Sequence, residues 1–159
     1  MNRLLKISTA LGVVIGFALY AHSVNSAGAG YTTQAKVMSY TTQAKVMSEY
    51  KGVKLGMKRD AVKAAMGTPS TTSDTSDDFS LTGDDTMTVH YDNEEVKAIQ
   101  LSFLDPKHAP AWKDVVGDAE VSELANGAKT ARKTLEAEKF WVSIYQTKDG
   151  SSTRITISR

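Results

Sequence analysis

The chain contains no cysteine, and that absence excludes several things at once. No disulfide braces the fold, so its core holds by packing alone. No thiolate nucleophile exists. No cysteine is present to carry the lipid of a bacterial lipoprotein, so a lipid anchor of that kind is excluded. An excess of one charge is also missing: 19 Lys and Arg stand against 18 Asp and Glu, and no basic cluster gives a nucleic-acid footprint. Only three histidines occur. Of these, His90 and His108 have no i,i+4 partner and no HExxH setting, so no zinc site is predicted. No serine stands in a G-x-S-x-G elbow. What is there is ordinary for a soluble chain, 41% apolar over 159 residues. That length suffices for one domain or two small repeats around a shared core.

Residues 1–26 read as a signal peptide. Arg3 and Lys6 supply a positive start, and Ile7 to Tyr20 is apolar but short of the ~20 residues a span needs. Cleavage after Ser26, cleavage after Ala29, and retention of the segment all stay open. Removing Arg3 and Lys6 leaves one net negative charge. Residues 27–39 read as a flexible extension holding the first copy of a tandem repeat, since Tyr31–Ser39 and Tyr40–Ser48 are both YTTQAKVMS. Nine residues make about two and a half helical turns, and nine is odd for a strand. The two copies therefore cannot pack alike in one continuous element. Tyr40 to Tyr50 is predicted to dock as a short helix through Ala44, Met47 and Tyr50, with the first copy as a frayed extension.

Residues 40–104 are predicted to form one α+β unit and residues 105–159 a second. The first is organised around Gly52–Pro69, GVKLGMKRDAVKAAMGTP. Val62, Ala65 and Met66 recur at helical spacing from about Lys58, Gly67 suits a left-handed helix end, and Pro69 stops it. Thr68 to Asp78 reads as a solvated loop. Strands follow from Phe79, at Met87–Val89–Tyr91 and over Val96–Leu104, with turns at Thr82–Asp85 and Asp92–Glu95. In the second unit a helix is predicted from about Ala111, with Val121, Leu124, Ala125 and Ala128 at helical spacing. Asn126-Gly127 fits either a hairpin turn or a helix end, and the spacing favours the helix end. Strands are expected near Thr130–Leu135, Phe140–Thr147 and Thr153–Ser158. The fold class is thus α+β, two helix-plus-antiparallel-meander repeats with the helices on one face of the sheet.

That arrangement leaves the other sheet face free. Trp141 and Tyr145 alternate with Phe140, Val142 and Ile144 and so fall on the free face, where large aromatics anchor protein interfaces. Partial burial of Trp141 under a loop is an equal alternative. Trp112, beside Val115 and Val116, reads as core. Asp77, Asp78, Asp84 and Asp85 read as solvated turn carboxylates, because the Asp, Gly and terminal Glu of a calcium loop are missing. His90 reads as a half-exposed strand residue.

The run from Tyr50 to Val62, YKGVKLGMKRDAV, with Gly67-Thr68-Pro69 and the strand Thr88-Val89-His90-Tyr91, resembles the SmpA/OmlA superfamily over about Tyr50 to Phe103. That superfamily includes BamE, a scaffold lipoprotein of outer-membrane barrel assembly, and the β-lactamase inhibitory protein (BLIP) domains. The chain differs from the pattern in lacking the lipid-bearing cysteine and in having Lys58 where the family has Ser or Thr. The resemblance to the inhibitors implies that Asp84, after Gly83 in a first-unit hairpin, enters an enzyme active site; the inhibitors' disulfides have no counterpart. The resemblance implies a non-enzymatic periplasmic or secreted protein-binding module in envelope maintenance or outer-membrane protein assembly. It implies another envelope or secreted protein as partner, peripheral association with the outer membrane, and no cofactor, metal or nucleic acid. Two alternatives stay open. One is a secreted β-lactamase-inhibitor-like protein; the other is a small metal-binding or hydrolytic protein using the acidic loops.

Overall fold

The structure, a computed structural model, describes residues 45–159. The signal segment, the first nine-residue copy and Tyr40–Ala44 lie outside the described residues. Within them, Glu49–Tyr50 (β1) and Val53–Lys54 (β2) form a two-stranded hairpin. Its turn residues Lys51 and Gly52 both have positive φ, 48° and 80°, the backbone a two-residue turn between twisted strands requires. Helix α1 covers Arg59–Met66. Then come Thr71–Thr72 (β3), Ser76–Ser80 (β4), Thr86–Asp92 (β5) and Glu95–Phe103 (β6). Helix α2 covers Trp112–Val116. The chain ends in Ser122–Glu123 (β7), Lys129–Leu135 (β8), Phe140–Gln146 (β9) and Thr153–Ser158 (β10).

All strands from β3 onward belong to one antiparallel sheet of eight, in the order β3-β4-β5-β6-β10-β9-β8-β7. The join is β6 against β10, with Ile99 opposite Ile157 and Leu101 opposite Ile155. Strand alternation explains why these segments pair as they do. Met87, Val89 and Tyr91 of β5, Ile99, Leu101 and Phe103 of β6, Ile155 and Ile157 of β10, and Val142 and Ile144 of β9 all fall on one side and are buried. Register is fixed because a slip of one residue would turn every one of them to water. Val53, Val62, Val115 and Val116 close the same core.

This architecture corrects the expected fold class. The chain is not two helix-plus-meander repeats with helices on one face, but mainly one large sheet, and among the described residues the two helices have only eight and five residues. Three local departures account for it. Val121 to Ala128 is not helical: Ser122–Glu123 is strand, and Asn126-Gly127 makes the hairpin turn to β8. Gly127 takes φ 79°, its N–H donates to Leu124 O at 2.8 Å, and Asn126 Oδ1 accepts from the Ala128 N–H at 3.0 Å. Val121 and Leu124, whose spacing suggested a buried stripe, are exposed. Second, the stretch read as a solvated loop from Thr68 to Asp78 carries β3 and the start of β4. Third, the described part of Tyr40–Tyr50 is not helical. Lys45–Ser48 is irregular, held by the Met47 N–H donating to Val115 O at 3.0 Å, and it leads into β1.

Helix α1 starts without a side-chain cap at Lys58. The β5–β6 turn does that work instead: Arg59 N–H donates to Glu94 O at 3.0 Å, and Lys58 Nζ pairs with Glu95 at 3.0 Å. Orphan donors of a first helical turn must find such acceptors. Gly67 ends the helix with φ 86°.

Candidate functional site

The strand pairing sorts the residues opposite the core into three rows across the sheet. One row runs Thr134, Trp141, Ser158, Ala98, His90, Ser76. The next runs Arg132, Ser143, Thr156, Gln100, Thr88, Asp78. The third runs Thr130, Tyr145, Arg154, Ser102, Thr86, Ser80. These rows hold mostly Ser and Thr, and no Val, Ile, Leu, Met or Phe stands in them. Against that hydroxyl background the apolar area is concentrated in Trp141 and Tyr145, both half-buried on β9. They are four residues apart on one strand, a separation of about 13 Å at strand rise.

Arg132 stacks on Trp141, its guanidinium carbon 4.1 Å from the ring centroid. Thr134 and Trp141 are direct partners and Arg132 is opposite Ser143, so this stack is a diagonal cross-strand contact within reach of long side chains. Arg132 and Arg154 are exposed. The one carboxylate in these rows, Asp78, already accepts the Thr88 hydroxyl at 2.6 Å. His90 is exposed here rather than half-exposed. The alternation of KTARKTL in β8 held the signal for Arg132, but without the β8–β9 register nothing set it beside Trp141.

Asp84 sits apart from the two aromatics. It is exposed in the β4–β5 turn after Gly83, whose φ is 64°. That turn lies at the sheet end where the Tyr145 row runs, with β6 and β10 between β5 and β9; Trp141 is in the row at the other end. Asp84 and Trp141 are therefore not brought together.

Two of the four aspartates read as solvated are buried, which corrects that expectation. Asp77 has no exposure, because as the inward residue of β4 it alternates with Phe79. Arg59 reaches it with Nη2 to Oδ1 at 2.7 Å and Nε to Oδ2 at 3.0 Å, and the Tyr91 hydroxyl donates at 3.1 Å. Burial pushes its pKa up, but the hydrogen bonds from Arg59, Thr72 and Tyr91 outweigh that and hold it below the usual value. Burial, chiefly, with the Asp77 charge second, pushes the Tyr91 phenol up.

Asp85, also buried, accepts the Leu104 N–H at 2.8 Å and meets His108 Nδ1 at 2.7 Å. Burial raises its pKa, and the Leu104 N–H and His108 more than reverse that. These carboxylates are committed to internal partners. Among the described residues no three His, Asp or Glu side chains converge as a cation site. Trp112 is partly buried against the core. Comparisons of the chain with protein-family models, with characterised proteins and with solved structures find no match in any of the three.

Proposed function

We propose that the chain is an exported, non-enzymatic protein-binding module that works without a cofactor, and that its partner, another envelope or secreted protein, docks on the open face around Trp141 and Tyr145. One observation carries this: a face of hydroxyl side chains whose apolar area is two half-buried aromatics, one of them already ordered by a stacked arginine. Trp, Tyr and Arg dominate the energetic centres of protein interfaces, and a polar surround excludes water around them. Ordering Trp141 before binding removes part of the entropy cost of fixing it. Arg132 and Arg154 against an Asp78 satisfied by Thr88 make an acidic partner surface the complementary one. The positive start and apolar run of residues 1–26 support export.

A photo-cross-linking residue at Ser143, between the two aromatics, is expected to trap one envelope or secreted protein. Trp141→Ala with Tyr145→Ala should cut capture by at least about tenfold. Equal trapping from an exposed position off this face, such as Asp60, sinks the proposal. So does undiminished capture by the double variant.

A second reading rests on the exposure of Asp84 at a tight turn, where its carboxylate is free to enter a cleft. It assigns the chain as a secreted inhibitor of the β-lactamase-inhibitor type. Inhibition of a β-lactamase panel that Asp84→Ala abolishes would favour it over the open face.

A further inference from the structure

Among the described residues, strand β8 is covered on its outer side only where it begins. β7 pairs Ser122 with Thr130 and Glu123 with Lys129, and then leaves. Among the described residues, β8 from Ala131 to Leu135 is paired on one side alone, with β9. In an antiparallel ladder each residue gives both backbone groups to one neighbour, and the next residue gives both to the other. The Leu124 N–H donates to Ala128 O at 2.8 Å and Ser122 pairs with Thr130, so the even-numbered residues of β8 face β7. Arg132 and Thr134 continue that series. Their N–H and C=O groups point outward, and among the described residues no backbone group receives them.

A cavity of about 320 Å³ lies beside this edge, lined by Val46, Asp118, Lys133, Leu135, Glu136 and Glu138. The Lys133 ammonium is held by Asp118 Oδ1 at 2.7 Å. Glu136 and Glu138 take part in no ion pair among the described residues. The uncommitted charge of the cavity is therefore negative.

Lysine on an edge strand ordinarily repels an incoming strand, but Asp118 cancels that charge here.

We propose that the outer edge of β8 from Arg132 to Leu135, with this cavity, is a second binding site. An extended segment of a partner protein adds there as a further strand and places a lysine or arginine side chain in the cavity, against Glu136 and Glu138. Main-chain hydrogen bonds to Arg132 and Thr134 supply the affinity, and the cavity supplies the choice of side chain. The site uses the outward backbone groups of Arg132 and Thr134 and the cavity, whereas the open face uses the side chains of Trp141, Tyr145 and Arg132.

The probe is a capped heptapeptide of alternating threonine and valine with a central lysine, titrated into the mature chain. Amide exchange at Arg132 and Thr134 is expected to slow by at least about tenfold at saturation, and a central glutamate to weaken binding by about tenfold or more. Thr134→Pro removes one outward donor while sparing the bonds to β9, as proline on a strand edge does, and abolishes binding. Should that variant lose its fold, Glu136→Lys with Glu138→Lys provides the test, reversing the preference from lysine to glutamate. Unaltered exchange at Arg132 and Thr134, equal affinity for the two peptides, or binding retained by a folded Thr134→Pro overturns the proposal.

Discussion

Arg59 and Asp77 close on each other through two hydrogen bonds, 2.7 and 3.0 Å, with the carboxylate wholly out of solvent. The same guanidinium donates to Ser73 O at 2.6 Å and Asp74 O at 3.2 Å, and lies 4.7 Å from the Tyr91 ring centroid. One side chain thus ties the first turn of α1 to the β3–β4 hairpin and to β5. Removing Asp77 leaves the buried Arg59 with backbone carbonyls and only the longer contact to Glu94 at 3.6 Å, and removing Arg59 leaves the buried Asp77 with the Tyr91 hydroxyl and Lys63 at 3.9 Å. Asp77→Ala is therefore expected to cost about 3–5 kcal/mol in urea unfolding. Arg59→Met combined with Asp77→Leu should cost less than the sum of the two single changes, because the pair acts as a unit. Additive losses would show that the pair contributes only through packing.

Acid should loosen the fold through the same carboxylates. Asp77 and Asp85 both titrate below the ordinary value of 3.8. A carboxylate whose folded pKa is depressed stabilises the native state above its unfolded pKa, and that stabilisation is lost as pH falls through the folded value. The urea midpoint is expected to be level above about pH 5 and to fall steadily below the unfolded carboxylate value. Asp77→Asn starts lower and falls less steeply. An unchanged acid slope in that variant would remove Asp77 from the account.

The buried faces of β5, β6, β9 and β10 were legible in the sequence because strict alternation of Val, Ile, Met and Phe has one physical meaning, a sheet half in water. Asp77 was not legible. A strand whose inward residue is an acid looks like a loop, and the partner that lets it be buried, Arg59, lies 18 residues away. A local cue did exist, in Asp77 and Phe79 standing two apart. Val121 to Ala128 misled for the opposite reason. Apolar residues at helical spacing can equally flank a turn, and Asn126-Gly127 together with the exposure of Val121 and Leu124 decides for the turn. The fold class failed in its helices, which are only Arg59–Met66 and Trp112–Val116 among the described residues, and the β6–β10 pairing was out of reach of the sequence. No local pattern records which strands of two meanders become neighbours, and that junction merges them into one sheet. At the candidate site, alternation sufficed to put Trp141 and Tyr145 opposite the core, while Arg132 needed the register.

Asp84 offers a clean separation of contact from stability. Its carboxylate is exposed and takes part in no ion pair among the described residues. Asp84→Ala is expected to shift unfolding free energy by no more than about 0.5 kcal/mol, as surface changes away from special features do. Any inhibitory activity that disappears in this variant is then lost contact. A large drop in its melting temperature would contradict the exposed position.

The Arg132–Trp141 stack separates charge from planar contact. Lysine in place of Arg132 keeps the charge but not the flat surface that covers the indole. An exposed stack of this kind stabilises by about 0.5–1 kcal/mol, so Arg132→Lys should barely move the melting curve. Trp141 should nonetheless become more open to water. In a Trp112→Phe background, where Trp141 is the only indole, Arg132→Lys is expected to raise acrylamide quenching and shift emission to the red. If the stack orders Trp141 for its partner, the same change weakens capture by several-fold, mainly through faster dissociation. Unchanged quenching would mean that other neighbours hold the indole, and the preorganisation attributed to Arg132 would have no basis.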